Sequence, residues 1–143
     1  MILLDANLLL YAANRDAPEH EDARAWLDER LNGTVRVGLP WPSILAFVRI
    51  ASNPAILQRA VTPAMAWRQV QAWLARDVVW IPVAGEAHVE IFGALLDRRL
   101  MSSRLVPDAH LAALAIEHGL TLCSTDGDFS KFPGLKWENP LAA

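Results

Sequence analysis

Residues 107–126 read PDAHLAALAIEHGLTLCSTD. Pro107 suits the first position of a helix, where its missing N–H has no partner to lose, and Gly119 suits the stop, so the spacing predicts a helix between them. LTLCST follows at once as a short apolar run of the kind buried on both faces of a sheet. A helix that feeds a parallel strand runs antiparallel to it. Asp108, in the first turn, and Asp126, just past the strand, are therefore predicted at the same edge of the sheet.

Outward from this unit the same alternation repeats. ILL ahead of Asp5 reads as a first buried strand, and NLLLYAAN as a helix with Asn7 near its start. Pro18, EHEDARAWLDERLN and Gly33 predict a second helix, with an acidic first turn and a glycine stop. TVRVGLP is the second strand. Pro42 opens the helix PSILAFVRIAS, which Pro54 ends. Thr62 and Pro63 start PAMAWRQVQAWLA, whose Met65, Trp67, Val70, Trp73 and Leu74 form an apolar face. VVWIPV is the third strand, GEAHVEIFGALLDRRL a helix, MSSRLV a loop, DGDF a turn and LKW a short fifth strand. Strands alternating with helices predict a three-layer α/β fold: a parallel sheet covered on both faces, joined by right-handed crossovers. Without repeats or linkers, residues 1–143 are expected to form one domain.

Composition bounds the function. The chain has 143 residues, 53% of them hydrophobic and 20% charged, enough for one substantial core. Asp5 interrupts the N-terminal apolar run, which has neither a basic region before it nor a cleavage site after it, and no uncharged apolar stretch reaches about 18 residues. These features predict a soluble cytoplasmic protein without membrane contact. Cys123, the single cysteine, is expected to be a small core residue without a disulfide partner in the chain. At a formal net charge of −3 the overall field does not attract nucleic acid, so any such binding has to be local.

Asp5 ends the first strand and Asp126 the fourth. In open parallel sheets ligands bind beyond the carboxyl ends of the strands, where strand order reverses. Neighbouring first and fourth strands would gather Asp5, Asp108 and Asp126 in one crevice. Each has an ordinary reading: Asp108 as a partner of the helix dipole, Asp126 as a turn residue, Asp128 as the cap of DFSKF, and Asp5 as a carboxylate served by the next helix. Together, with no basic residue within a few positions of Asp5 or Asp108, they would repel one another unless a cation intervened. All-oxygen ligands favour Mg²⁺, with Mn²⁺ similar. Zinc is disfavoured, because His20, His88, His110 and His118 lack paired-ligand spacing with cysteine, and His110 and His118 read as helix-surface groups. Metal-assisted hydrolysis of a phosphodiester is the chemistry expected. A phosphoacceptor or aspartate-nucleophile site would place a second acid beside Asp5 or two residues after it, where Ala6 and Asn7 stand.

MILLDANLLL, VPDAHLAALAIEHG and LTLCSTDGDFSKFPGL together resemble the PIN-domain ribonucleases, in particular the VapC-type toxins of bacterial toxin–antitoxin modules. GLPWPSILAFVRIASNP and FPGLKWENP resemble the actinobacterial branch of that group. The resemblance implies an α/β/α sandwich with a five-stranded parallel sheet of order 3-2-1-4-5. It implies a Mg²⁺- or Mn²⁺-dependent endoribonuclease, acting as a homodimer on RNA and silenced by a VapB-type antitoxin, which directs an arginine at the acids. Asp5, Asp108 and Asp126 match the family's catalytic and metal-binding acids, and Asn7 and Thr125 match polar neighbours. One departure stands out: Phe47 occupies the place of a glutamate that many members carry. Either three acids suffice, with Asp128 or Glu86 contributing, or the chain is a catalytically weakened RNA- or partner-binding module. The three-acid site is the expectation here. Ser43 offers a hydroxyl through water, or serves as an ordinary early-helix residue.

Arg15, Arg49, Arg98, Arg99, Arg104 and Lys131 follow segments predicted to approach the active edge and are candidates to grip RNA phosphates. Trp41 is a candidate to stack on an unpaired base. Trp26, Trp67, Trp73, Trp80 and Trp137 read as core or interface residues, and the helix with Trp67 and Trp73 offers surface for a dimer or an antitoxin helix.

Overall fold

Leu3 and Leu4 show why the first strand is apolar throughout. The structure, a computed structural model, describes residues 1–99 and 101–142. Strand β1 (Ile2–Leu4) is central in the sheet, and successive side chains leave opposite faces. Leu3 enters the core on one side and Leu4 the core on the other. The other strands are β2 (Val37–Gly38), β3 (Val79–Trp80), β4 (Thr121–Cys123) and β5 (Trp137–Glu138). Their order is β3-β2-β1-β4-β5 and every neighbouring pair is parallel, as the resemblance implied. The sheet reverses direction of winding at β1 and β4, so their carboxyl ends border one crevice.

Helices α1 (Ala6–Ala13), α2 (His20–Leu31), α3 (Trp41–Ala51) and α4 (Pro63–Leu74) cover one face, where Leu8, Leu9, Leu27, Phe47 and Val70 pack around Leu4. Helices α5 (His88–Leu96) and α6 (Val106–His118) cover the other, where Leu95, Ala109, Leu114, Phe129 and Phe132 surround Leu3 and Leu122. Leu100, with which the predicted fifth helix closes, lies outside the described residues. Gly119 takes φ 68°, the left-handed conformation that a helix stop of this type requires, and Leu120 N–H returns to the Ala115 carbonyl at 2.8 Å. Thr62 caps α4 by accepting from Met65 N–H at 3.1 Å.

Three local expectations shift. The predicted strands TVRVGLP and VVWIPV contract to two-residue ladders, each soon followed by a proline, Pro40 or Pro82, that has no N–H to continue the pairing. MSSRLV contains a 3-10 turn at Ser103–Leu105 that buries Leu105, so α6 starts directly from it. On α4 the buried stripe is Ala66, Val70 and Trp73, whereas Met65 is 51% exposed. Among the described residues no helix is long and apolar enough to cross a membrane.

Candidate active site

The register of β1 against β4 builds the floor of the crevice. Leu4 pairs with Cys123, and Asp5 N–H continues the ladder to the Cys123 carbonyl at 3.1 Å. Asp5 and Ser124 are thus neighbours one step beyond the pairing. Ser124 Oγ donates to Asp5 Oδ2 at 2.7 Å and accepts from Asn7 Nδ2 at 3.1 Å and from Asp126 N–H at 3.0 Å. It is fully buried. The polar hub of the site is therefore Ser124, with Thr125 beside it, and the strand register is the signal that identifies it. Asp5 itself caps α1, its Oδ1 accepting from Ala6 N–H at 2.8 Å. Asn7 lies within the helix and keeps Oδ1 buried without a hydrogen-bond partner among the described residues.

Above this floor stand three more carboxylates. Asp108 comes from the first turn of α6, and Asp126 caps a 3-10 turn at Gly127–Lys131 by accepting from Asp128 N–H at 2.9 Å. One oxygen from each of Asp108, Asp126 and Asp128 lies within 4.8 Å of the others. Asp5 falls outside that set but is electrostatically continuous with it. Burial raises its pKa, against the Ser124 and Ala6 hydrogen bonds, and the charge of Asp126 raises it further. The Asp108 carboxyl is pushed up to about 6, first by burial and then by the charges of Asp126, Asp5 and Asp128, with Arg104 opposing. Asp128 is held down instead, because Lys131 Nζ and Arg104 Nη1 reach its two oxygens, each at 2.8 Å. Asp108 and Asp126 meet at this edge and Asp5 borders them through Ser124, while Asp128 joins them already paired. Clustered carboxylate oxygens whose ionisation is resisted by their own neighbours fit a hard divalent cation, which relieves that repulsion.

Other candidates fall elsewhere. Ser43 is buried and its hydroxyl donates to the Leu4 carbonyl at 2.6 Å, so its proton ties α3 to β1 and is not offered to a water. Phe47 is a core residue, edge-on to Trp73 with ring centres 4.9 Å apart. Glu86 follows Gly85, whose N–H binds Glu117 at the carboxyl-terminal end of α6, the end opposite Asp108; it does not join the acids. Arg98, Arg99 and Lys131 line a cavity of about 860 Å³ with Met101 and Leu105, and Lys131 links it to Asp128. Arg15 lies in a separate cleft with Arg59, and Arg49 is exposed on α3. Trp41 stacks on Trp67 with centres 6.2 Å apart and remains 45% exposed. His110 and His118 are not free surface groups: His110 Nδ1 lies 3.0 Å from His88 Nε2, and His118 Nε2 donates to the Val83 carbonyl at 2.8 Å.

The chain and its architecture have counterparts among known proteins. A model of the PIN domain matches residues 2–135. Ribonuclease VapC33 and Ribonuclease VapC37 of Mycobacterium tuberculosis are 40% and 39% identical to this chain, over 99% of it and 99% of each relative. The solved structure of VapBC2 from Rickettsia felis, bound to a DNA fragment from their promoter, matches at a TM-score of 0.70 and 17% identity, covering 97% of this chain and 98% of that one, and so shares the fold. On this evidence the chain belongs to the PIN domain family, alongside the VapC ribonucleases.

Proposed function

We propose that this chain is a Mg²⁺- or Mn²⁺-dependent endoribonuclease and the growth-inhibiting toxin of a VapBC-type pair. The observation that carries the reading is the meeting of Asp5, Asp108 and Asp126 at one sheet edge, where burial first and the neighbouring acids next push the Asp108 carboxyl up to about 6. These three acids would hold the metal. When bound, such an ion makes water a competent nucleophile near neutral pH and offsets negative charge on the phosphoryl oxygens.

The remaining work falls to neighbouring side chains. Ser124 locks Asp5 and the Asp126 backbone into one arrangement, and the spare Oδ1 of Asn7 is an acceptor that can orient a water beside them. Asp128 draws Arg104 and Lys131 to the rim, where they can pair with the phosphates flanking the scissile bond. Arg98 and Arg99 extend that basic rim, and the open face of Trp41 can take an unpaired base. Arg15 and Arg49 lie off this path. A VapB-type antitoxin and a second copy of the chain are the partners, in the cytoplasm. The fourth acid, Asp128, favours catalysis over a mute binding module despite Phe47.

The test is cleavage of structured RNAs by the full chain with Mg²⁺, with Mn²⁺ and with chelator. Cleavage should need the metal and vanish in Asp5→Ala and Asp108→Ala while both variants stay folded. Equal cleavage by folded variants would discard the assignment.

A further inference from the structure

A second group of ionisable side chains lies between α5 and α6, and nothing in the nuclease reading uses it. His110 and Glu117 stand about two turns apart on one face of the helix, and His88 from the start of α5 reaches between them. His88 Nε2 is 3.0 Å from His110 Nδ1, with the rings crossed at 70°. Their centres are only 4.8 Å apart, closer than a collinear N–H···N bond of that length would hold two imidazoles. On its other side, His88 Nδ1 is buried without a hydrogen-bond partner among the described residues and faces Glu117 Oε1 at 3.9 Å. The side chains of His88 and Glu117 are each 12% exposed.

The carboxylate is fixed in place. Gly85 N–H reaches both oxygens of Glu117, at 3.0 and 3.1 Å. A Cβ at residue 85 would stand 2.5 Å from Oε2, so only glycine lets the backbone come this close. Phe92 stacks on His88 with ring centres 5.6 Å apart and closes its outer side.

We infer that His88 Nε2 and His110 Nδ1 form a two-nitrogen site for a borderline transition-metal ion, Zn²⁺ foremost, with Glu117 orienting His88 and waters completing the coordination. Two imidazole nitrogens about 2.0–2.1 Å from one zinc stand close to the separation seen here. A ligating histidine characteristically turns its other N–H to a carboxylate, and the orphaned Nδ1 of His88 has Glu117 as its facing carboxylate at 3.9 Å, a gap that a small turn of the ring would close. Nitrogen donors select zinc, nickel or copper, whereas the carboxylate oxygens of the acidic crevice select magnesium or manganese, and Asp108 and His110, two residues apart, leave α6 on opposite sides, so the two sites are separate. The bound ion clips α5 to α6. Its ligands are 22 residues apart in the chain, a separation at which spacing rules for zinc motifs are silent.

The experiment titrates Zn²⁺ into the full chain by calorimetry with excess Mg²⁺ present, and into Asp108→Asn. One Zn²⁺ per chain should bind in both. His88→Gln and His110→Gln should each weaken binding at least tenfold, and Glu117→Gln about tenfold. At a hundredfold excess over Kd, Zn²⁺ should raise the wild-type Tm by about 5 °C or more. Histidine-ring NMR of the wild type supplies a readout that needs no variant: Zn²⁺ should shift the rings of His88 and His110 and spare His20. Absence of binding, ring shifts that miss His88 and His110, or binding that survives both histidine changes but is lost in Asp108→Asn would overturn the site.

Discussion

Helix α6 carries a carboxylate near each end, and the fold treats the two in opposite ways. Asp108 sits in the first turn, where the helix dipole welcomes negative charge, yet burial and three other acids push its pKa up to about 6. Glu117 sits near the last turn, where the dipole opposes negative charge, yet it receives an N–H on both oxygens and faces a histidine. Local helix electrostatics would have predicted the reverse. What separates them is the supply of donors: the Gly85 loop closes on Glu117, while at Asp108 the nearest cation, Arg104, is bound to Asp128. A carboxylate provided with donors is part of the packing, and one crowded by its own kind is set to receive something positive.

Substitution at the crowded end should give the largest effect. Asp108→Asn should lower metal-dependent RNA cleavage by about 10³-fold, the scale on which removal of one group that stabilises developing charge is felt. In chelator the same variant should melt higher than wild type, because a repelling charge has gone while the shape is kept. A variant that lost both activity and stability would mean that Asp108 is held as firmly as Glu117, and the contrast would fail. Next in size is Ser124→Ala, which leaves buried Asp5 Oδ2 without its donor and Asn7 Nδ2 without its acceptor. A cost of about 1–3 kcal/mol in stability is expected from the stranded groups, together with a drop of about 10–100-fold in kcat as Asp5 drifts. Urea melts and steady-state cleavage measure the two separately; a change in KM alone would remove Ser124 from the positioning of the acids.

The crowded end of this contrast is legible in the sequence alone. Pro107 and Gly119 bracket α6, and the parallel-crossover rule then carries Asp108 to the edge where Asp5 and Asp126 end their strands. Ser124 escaped because its role depends on pairing between Leu4 and Cys123, a register that local pattern does not encode. Thr125, one residue on, was the reading in its place. Nor could periodicity reveal that His88 meets His110, since nothing local to either residue states that α5 lies along α6. What depends on one element is legible, and what depends on two elements meeting is not.

A smaller effect concerns pH. The Asp108 carboxyl, raised from 3.8 to about 6, binds its proton more tightly folded than unfolded. Its contribution to stability is therefore complete below the unfolded value and is lost as pH rises through the folded one. Asp5 shifts in the same direction through burial. In chelator, Tm should fall by a few degrees between about pH 4 and pH 7 on account of these groups, and Asp108→Asn should flatten the slope. Asp128, whose pKa is lowered by Lys131 and Arg104, acts with the opposite sign, and its contribution is lost as pH falls through its depressed folded value. Saturating Mg²⁺ should reverse the trend above about pH 6, since the ion binds the ionised carboxylates. A chelated wild type whose Tm climbed across that range would show the acids relieved of one another's charge.

The smallest effect belongs to the satisfied end of the helix, and its sign is what matters. Glu117→Gln keeps the shape but replaces a charged acceptor of two N–H contacts with an amide that has one acceptor oxygen, so a loss of about 1 kcal/mol, or about 3 °C in Tm, is expected. Gly85→Ala should cost a similar amount by another route, because its Cβ would displace Oε2 of the same carboxylate. If both act through that one contact, the double variant should be little worse than either single one, since the second change removes what the first has already broken. Additive losses would mean that the glycine serves the loop rather than Glu117. A gain in Tm from Glu117→Gln, matching the gain expected from Asp108→Asn, would place repulsion at both ends of α6 and leave donor supply unable to distinguish them.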